Sequence, residues 1–393
     1  MSSAPGLATA QGTTAYHARH PATGPHAVGA HALGDLSLSP VGLGTYLGHD
    51  DDQTDALYHS ATLSALAGGI NVLDTASNYR SQRSERTLGA AIREAIGAGL
   101  IAREELLVTS KVGYIPFDGS RPRHLGPYIE ERYLKTGIIR REELAGGMHC
   151  MAPRYIDHVL DASRANLGLA TIDVYYLHNP ESGLDGVERS LWTSRVRTAF
   201  ETLERAARDG RIGCYGTATW AGYRKGPEAP EHLGLEALVA LAREVGGDGH
   251  HLRVVQLPVS LAMIEAISTP TQPSAAASSD PAHSTLRPLL EVARDHGLCV
   301  MSSASILQGQ LTRGLGEELR AAIDAQRSTH VSPLASPWND AQRSIHFARS
   351  APGIATALVG MKQEEHVAQA TAVMREAPMS EAAVRSLLAD FGD

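Results

Sequence analysis

Short apolar runs alternate with amphipathic stretches along most of this chain. The runs are rich in Val, Ile and Leu without polar alternation, which is typical of parallel strands buried on both faces. The stretches between them carry apolar residues at helical spacing, as in VRTAFETLERAARDG, where Val196, Phe200 and Leu203 share one face. Eight such strand-then-helix units follow one another, and their apolar runs are VGLGT (41–45), INVLDTA (70–76), LLVTSKVG (106–113), IDVYYLH (172–178), GCYGTAT (213–219), LRVVQLPVS (252–260), CVMSSAS (299–305) and TALVG (356–360).

Eight consecutive units predict an α/β fold in which the strands close into a (β/α)₈ barrel. The alternative is an open, doubly wound sheet, but no G-x-G-x-x-G follows any of the strands. The spacing also predicts long βα loops after strands three, five and six, over 113–152, 220–233 and 267–284. We therefore expect residues 33–393 to form a single barrel domain.

The first 32 residues lack this alternation of apolar runs and amphipathic stretches. They are rich in Ala, Gly, Thr and His without periodicity, which favours a flexible N-terminal extension over residues 1–32. Four histidines in this region, at positions 17, 20, 26 and 31, have no acidic or cysteine partners nearby in the sequence. We therefore predict no metal site there.

The amino-acid composition indicates which kinds of molecule the protein is expected to bind and in which compartment. The net charge of −8 argues against nucleic acid, whereas 43% hydrophobic and 20% charged residues are normal for a soluble protein with a core. Three cysteines without ligand spacing favour a reducing compartment. No apolar run reaches the roughly 18 residues of a membrane span, and the N-terminus has no secretory signal pattern. We expect a cytoplasmic protein without a membrane partner.

Polar residues stand where consecutive strands end. Asp74 ends the second strand, Lys111 the third and His178 the fourth, and Tyr79 lies in the loop after the second. Each alone has an ordinary structural explanation, because a strand-end Asp often caps a helix and a strand-end Lys often pairs with an acid. Active sites of (β/α)₈ barrels lie where strands end and βα loops begin, so the four together predict one site.

At these motifs the chain resembles the aldo-keto reductase superfamily. The resemblance covers residues 34–377 and rests on LSPVGLGTYLG, VLDTASNY, LLVTSKVG, IDVYYLHNP and LVGMKQEEHV. It implies that Asp74, Tyr79, Lys111 and His178 are a catalytic tetrad. It also implies an NADP(H) cofactor extended across the barrel mouth, and a small carbonyl or alcohol substrate.

The residue types suit that chemistry. Carbonyl reduction needs a hydride and a proton, and a tyrosine is a poor acid at its reference pKa of about 10. We expect the Lys111 ammonium to lower the pKa of Tyr79 and Asp74 to keep Lys111 charged. Tyr79 then acts as general acid/base while His178 orients the carbonyl oxygen.

The resemblance also implies a set of cofactor contacts. The nicotinamide ribose and ring would meet Gly44, Thr45, Tyr46 and Asp74, and the carboxamide would meet Thr219 and Gln256. The phosphate groups and the adenine would meet Ser305, Leu307, Gly309, Arg313, Gly360, Lys362, His366 and Gln369. Four features depart from the family pattern. Ala218-Thr219 replaces Ser-Asn, and Ala304 stands where an aromatic ring commonly stacks on the nicotinamide. Near the adenine, Gln369-Ala370 replaces Glu-Asn, and His366 replaces a common Gln.

Candidate substrate-pocket residues are Tyr46, Tyr114, Trp220 and Tyr223. The loop 113–152 carries further aromatic residues, so it is either a lid or pocket wall, or a packed surface excursion. Its length resembles that of the sugar-dehydrogenase-like branch of the superfamily, which implies a sugar-like or glycosidic substrate.

Two other functions fit the same residues. One is a non-redox acid/base enzyme, catalysing an elimination or epimerisation with weakened or repurposed cofactor binding. The other is a regulatory module like the barrel subunits of some channels. Cofactor binding and turnover of a carbonyl panel distinguish the three.

Overall fold

Eight parallel strands close into a barrel in the computed structural model, which describes residues 4–23, 33–274, 285–327 and 337–391. Each strand pairs with its neighbours in chain order, and β1 closes the barrel against β8. This confirms the predicted (β/α)₈ barrel. The strands are β1 (Val41–Gly44), β2 (Val72–Asp74), β3 (Leu107–Val112), β4 (Ile172–His178), β5 (Ile212–Ala218), β6 (Leu252–Pro258), β7 (Cys299–Ser303) and β8 (Ile354–Gly360).

A helix follows each strand and packs on the outside of the barrel. In order, these are α2 (Asp52–Ala67), α3 (Arg83–Gly97), α5 (Pro153–Leu167), α6 (Arg189–Arg208), α7 (Leu235–Gly246), α9 (Leu289–Asp295), α11 (Asp340–Ser350) and α12 (Glu364–Met374). Further helices are α1 (Ala10–Arg19), α4 (Leu125–Ile129), α8 (Glu265–Ser268), α10 (Glu317–Asp324) and α13 (Glu381–Phe391). Within the described ranges, no helix combines the length and apolar character that crossing a membrane requires.

Side chains fill the barrel interior, and a glycine on a neighbouring strand leaves room for one of the largest of them. Tyr176 on β4 stands opposite Gly216 on β5 and is fully buried. A Cβ at Gly216 would lie 2.9 Å from the Tyr176 ring and 2.2 Å from the Val254 carbonyl oxygen. The strand sequence GCYGT therefore needs glycine at this position to admit the ring.

The loops after β3, β5 and β6 are long, as predicted. The β3 loop occupies residues 113–152, and the β6 loop contains a two-stranded antiparallel ribbon, Gln272–Ser274 with Thr285–Arg287. The β7 loop is also long and contains α10. The sequence pattern did not predict this last loop.

Part of the predicted flexible extension is folded, which corrects the expectation for residues 4–23. Helix α1 lies against the amino-terminal side of the barrel, where the fully buried Tyr16 donates its hydroxyl to the carbonyl oxygens of Leu66 and Ile70. The backbone of Gly12 approaches Glu104 so closely that a Cβ would lie 2.3 Å from its carbonyl oxygen. Small residues allow this close packing without the apolar periodicity that reveals a helix in a sequence.

The same region contains four histidines, at positions 17, 20, 26 and 31. His26 and His31 lie outside the described residues. The residues that are described hold no cluster of three or more His, Cys, Asp or Glu side chains able to bind a metal ion.

A buried carboxylate joins the N-terminal segment to the barrel. Asp173 at the start of β4 accepts hydrogen bonds from the Ala8 amide at 2.6 Å, the Val108 amide at 2.8 Å and the Arg103 guanidinium at 2.7 Å. Both charged side chains are about 5% exposed. Since removing one partner of a buried ion pair leaves the other uncompensated, this network is a strong structural constraint.

We expect Asp173→Asn to lower the free energy of unfolding by about 3–5 kcal/mol, because a neutral amide cannot balance Arg103 and accept the same three bonds. Urea denaturation measures the change. Asp248→Asn on the exposed surface is the matched control, and we expect it to change stability by less than about 0.5 kcal/mol. Equal stability of the two variants would contradict the assignment.

Candidate active site

A cavity of about 820 Å³ opens at the carboxyl ends of the strands. Most of the residues proposed from the sequence line it, although they come from distant parts of the chain. The lining includes Gly44, Thr45, Tyr46, Asp74, Tyr79, Tyr114, His178, Thr219, Trp220, Gln256, Ser305, Gly309, Gly360, Lys362, His366 and Gln369. Lys111 lies behind the cavity wall and is fully buried.

An ion pair between Asp74 and Lys111 forms the base of the site. The Lys111 ammonium donates to Asp74 Oδ2 at 2.7 Å and to the Thr75 carbonyl at 2.8 Å. Asp74 Oδ1 accepts from the Thr109 hydroxyl at 2.6 Å and from the Gln256 amide at 2.8 Å. Both oxygens of the carboxylate are thus satisfied, which is what a buried charge requires.

Tyr79 lies directly above this pair. The Lys111 Nζ is 4.8 Å from the centroid of the Tyr79 ring. The Tyr79 ring meets His178 edge-on with centroids 5.7 Å apart, and Tyr46 packs on another side at 4.9 Å. The four residues predicted from strand ends therefore converge in space.

The electrostatics of Tyr79 differ from the sequence expectation. Burial, reinforced by the Asp74 charge and by Tyr46, raises the pKa of Tyr79 well above its usual value. We expected Lys111 to lower this pKa, but its charge is balanced by Asp74 at 2.7 Å. Burial also lowers the pKa of Lys111, against the opposing effect of Asp74. Tyr79 is consequently a protonated hydrogen-bond donor at neutral pH.

His178 is neutral in this environment. Burial lowers the pKa of its imidazole well below the usual value, with smaller contributions from Lys111 and His149. Its Nδ1 is buried and has no hydrogen-bond partner among the described residues. His149, contributed by the long β3 loop, donates from Nε2 to the His178 carbonyl at 2.8 Å and so braces that residue from behind.

A strained turn follows the tyrosine. Arg80, Ser81 and Gln82 all adopt the left-handed conformation, with φ of 47°, 54° and 69°. Non-glycine residues pay for this conformation, so surrounding contacts must impose it. Ser81 donates to Asp50 at 2.7 Å, and Gln82 donates to the Phe117 carbonyl at 2.7 Å. The turn thereby ties Tyr79 to the β1 and β3 loops, which carry walls of the cavity.

The proposed cofactor residues differ in whether they face the cavity and whether their polar groups are available to a ligand. The buried Thr219 hydroxyl has no partner in the described part of the chain, and its residue faces the cavity. Gln256 uses its amide nitrogen on Asp74, and Ser305 donates its hydroxyl to the Leu358 carbonyl at 3.0 Å. Arg313 does not line the cavity.

The loop after β7 contains three consecutive residues in the left-handed conformation. Leu307, Gln308 and Gly309 have φ of 46°, 54° and 92°, and the last two line the cavity whereas Leu307 does not. At the opposite wall, Lys362 forms no ion pair with any described residue. Both features lie at residues to which the resemblance assigns the phosphate groups of a cofactor.

On the substrate side, Tyr46, Tyr114 and Trp220 line the cavity, with Tyr46 51% and Trp220 40% exposed. Tyr223 does not line it, which corrects its proposed role. Its ring is fully buried, and its hydroxyl pairs with Thr217 at 2.6 Å. It follows Trp220 by three residues, but the β5 loop turns it into the core.

The β3 loop is mainly a packed excursion. The rings of Phe117, Tyr128 and Tyr133 contact one another in series, and the last two donate their hydroxyls to the Pro116 carbonyl. Only its first turn, at Tyr114, reaches the cavity. This favours the second of the two interpretations open from the sequence.

Sequence reasoning missed several cavity residues. Asn78 and Asn179 line the cavity beside Tyr79 and His178, and the Asn78 Oδ1 has no partner within the described ranges. Because each is adjacent in the sequence to a residue of the predicted tetrad, the sequence alone could have indicated that they line the cavity. His149 had no such signal, because only the folded β3 loop brings it to His178.

Known proteins resemble this chain in sequence and in fold. Residues 40–230 match the model of the Aldo/keto reductase family. The prostaglandin-E(2) 9-reductase of Oryctolagus cuniculus is 27% identical over 177 residues, which cover 45% of this chain and 43% of that protein. The chain thus spans less than half the length of the curated relatives it matches.

Two solved structures share the fold across almost the whole chain. An aldo/keto reductase from Klebsiella pneumoniae, solved with NADP and acetate, has a TM-score of 0.56 at 18% identity and covers 93% of this chain and 95% of its own. An aldo-keto reductase from Bacillus halodurans, in its holo form, has a TM-score of 0.57 at 16% identity, covering 92% and 95%. At these identities the likeness shows the barrel fold alone.

The burial of His149 predicts that the folded protein loses stability as the pH falls. Burial lowers the pKa of His149 to about 4, whereas an unfolded histidine has a pKa of about 6.5. Below about pH 6.5 the unfolded state binds the extra proton, so stability falls as the pH drops towards 4. We expect a loss of about 3 kcal/mol from this residue over that range.

Unfolding titrations between pH 7 and 4 test this. His149→Gln should make the pH dependence less steep but not remove it, because burial also lowers the pKa of His17 and of His178. His124→Gln, at an exposed position in the same loop, should retain the full slope. If both variants keep the wild-type slope, His149 is not the group responsible.

Proposed function

We propose that this chain is an oxidoreductase of the aldo-keto reductase superfamily, which transfers a hydride between NADP(H) and a carbonyl or alcohol substrate; the family match over residues 40–230 supports this. One observation carries the proposal: the Asp74–Lys111 pair, Tyr79 and His178 converge at one edge of the 820 Å³ cavity. A lysine, Lys362, lies elsewhere on its wall.

Tyr79 is the proton donor in this scheme. Its raised pKa keeps the phenol protonated, and its hydroxyl can protonate an alkoxide as charge develops on the substrate oxygen. The Lys111 ammonium, 4.8 Å from the ring centroid, stabilises the phenolate that this transfer leaves. In the oxidative direction, the same phenolate accepts the proton of the alcohol.

His178 provides the second polar contact to the substrate oxygen. A neutral imidazole can donate one N–H while leaving the charge balance of the site to Asp74 and Lys111. His149 holds its backbone through the main-chain carbonyl, and the rings of Tyr79 and Tyr114 pack edge-on against the imidazole. Two oriented donors around one oxygen stabilise developing negative charge without reorganisation.

The residues present fit a nicotinamide dinucleotide. The buried, unpartnered Thr219 hydroxyl would bind the carboxamide, the loop containing Gln308 and Gly309 would bind the pyrophosphate, and Lys362 would bind the 2′-phosphate. When bound, the reduced nicotinamide supplies the hydride. Every other element of the chemistry resides in the side chains described above.

A non-redox acid/base reaction is the second candidate. It is favoured by Ala304, which leaves the cavity without a stacking ring at that position, and by the engagement of Gln256 with Asp74. Titration of NADPH fluorescence separates the two. Micromolar binding with NADP⁺ formation on a carbonyl panel supports the reductase, and no detectable binding supports the non-redox enzyme.

We expect Tyr79→Phe to lower kcat for carbonyl reduction by about 10³-fold, because it removes the proton donor. NADPH binding and the melting temperature should stay near wild type, since the tyrosine hydroxyl supports neither. Steady-state kinetics and fluorescence titration measure both properties. Tyr128→Phe, which removes a hydroxyl outside the cavity, is the control and should keep full activity. A fully active Tyr79→Phe enzyme would refute the assignment.

Lys362→Ala should weaken NADPH binding by about tenfold, because one charge-assisted contact to the 2′-phosphate is worth about 1.5 kcal/mol or more. NADH lacks that phosphate, so its affinity should change little. Lys135→Ala, which removes a surface lysine paired with Glu131, is the matched control. An equal loss for NADPH and NADH would place Lys362 elsewhere on the cofactor.

A further inference from the structure

A second cavity lies at the opposite end of the barrel from the candidate active site. Its volume is about 410 Å³, which is within the range of small-molecule sites. Its residues come from the end of α7 and from the starts of β6 and β7, so it is on the amino-terminal side of the strands. We refer to it as the basic cavity, and its lining is Val239, Arg243, Asp248, His250, Leu252, Arg253, His296, Gly297 and Leu298.

Two guanidinium groups of the basic cavity lack acidic partners. Arg243, near the end of α7, and Arg253, the second residue of β6, form no ion pair with any residue that the structure describes. Glu244, the neighbour of Arg243 in sequence, is instead paired with Arg197 on α6 at 2.6 Å. Arg243 is exposed and Arg253 is half-buried. Two positive charges therefore share one concave surface without an ion pair to balance them.

His250 adds a neutral donor to these charges. The residue is buried, and Arg253 Nη1 lies 3.4 Å from its Nδ1. Because a guanidinium can only donate, Nδ1 accepts in this contact, and the proton of the neutral ring is on Nε2. Arg253 Nη1 also donates to the Leu252 carbonyl at 3.2 Å, which leaves Nε and Nη2 of Arg253 for a ligand. These groups are all donors, as an oxyanion requires.

The electrostatic environment of His250 is positive. Burial lowers the pKa of His250, and the charges of Arg253 and Arg243 lower it too, against the opposing effect of Glu204. The Glu204 carboxylate is already engaged, because it accepts from the His251 backbone amide and from His251 Nδ1, both at 2.7 Å. A site that disfavours a further positive charge on His250 favours the binding of an anion.

Acidic groups around the basic cavity are few. Asp248 is the one acid among the described lining residues, and it is exposed at the rim. Glu236, which is close by, accepts from the Ser274 hydroxyl at 2.8 Å and lies 3.7 Å from His296 Nε2. The part of the chain that the structure describes holds no cluster of His, Cys, Asp or Glu able to bind a metal ion. The basic cavity is thus suited to an anion and not to a metal cation.

We propose that the basic cavity binds a phosphate group, either as the free ion or as part of a small phosphorylated molecule. Arg243 and Arg253 contact the phosphate oxygens, because the planar guanidinium matches two oxygens of a phosphate. The Nε2–H of His250 provides a third donor. Active sites of (β/α)₈ barrels lie at the carboxyl ends of the strands, so this is a second site, and it does not depend on the proposed reductase function.

Isothermal titration calorimetry of the full chain tests the site. Sodium phosphate and glycerol 3-phosphate are titrated at neutral pH and constant ionic strength, because salt screens exposed charges. Arg243→Ala, Arg253→Ala and Asp248→Asn each remove one charge from the basic cavity. Arg375→Ala removes an exposed arginine outside it, and Lys362→Ala removes the lysine of the candidate active site, so these two are the controls.

We expect wild type and both controls to bind phosphate with a Kd of about 1 mM or lower. Arg243→Ala and Arg253→Ala should each weaken binding by about tenfold, since each loses a charge-assisted hydrogen bond. Asp248→Asn should tighten binding by about threefold, because it removes a repelling carboxylate. Tighter binding of glycerol 3-phosphate than of phosphate indicates a phosphorylated molecule as the ligand, and the reverse order indicates the free ion.

Three results would overturn the proposal. Undetectable binding of both compounds by wild type excludes a phosphate site. Equal weakening by Arg375→Ala shows an effect of overall charge, and a loss confined to Lys362→Ala places the phosphate in the candidate active site. If Arg253→Ala fails to fold, Arg243→Ala and Asp248→Asn still decide, because both positions are exposed and the two changes act in opposite directions.

Discussion

The buried ion pair between Asp74 and Lys111 is the constraint on which the site depends. Neither charge could remain in the barrel wall alone, so each requires the other at 2.7 Å and the surrounding polar groups that complete it. Thr109 and Gln256 contribute to that completion from β3 and β6. The pair thus couples three strands, and it leaves Lys111 beneath the Tyr79 ring with its charge already balanced.

That balance explains the ionisation of the residues above it. With Lys111 neutralised by its partner, burial dominates, and Tyr79 stays protonated while His178 stays neutral. Both are then donors suited to a carbonyl oxygen. The left-handed turn from Arg80 to Gln82 adds geometric constraint, because it connects the tyrosine to two loops that line the cavity. Strain of this kind persists only where several contacts enforce it.

The regions of the cavity differ in how many of their polar side chains are already hydrogen-bonded within the protein. On the proposed acid/base side, both Asp74 carboxylate oxygens and the Lys111 ammonium are hydrogen-bonded. On the proposed cofactor side, Gln256 and Ser305 donate to other groups of the protein, whereas the Thr219 hydroxyl has no partner among the residues that the structure describes. The proposed substrate side is aromatic and neutral, and the Tyr114 hydroxyl there is hydrogen-bonded with the side chains of Asn179 and Ser182. A ligand that bridges these regions must be polar at its reacting end and tolerate aromatic walls.

The alternation of apolar runs and helical stretches determined the barrel, because each strand must be buried on both faces and each helix on one. Chain order then placed Asp74, Lys111 and His178 at one rim, since parallel strands end on the same side. Tertiary structure alone decided the rest. The small residues of α1 pack without periodicity, Tyr223 turns into the core three residues after an exposed Trp220, and His149 reaches His178 through a folded loop. Local patterns record burial within an element, whereas loop paths and the pKa of Tyr79 depend on groups distant in sequence.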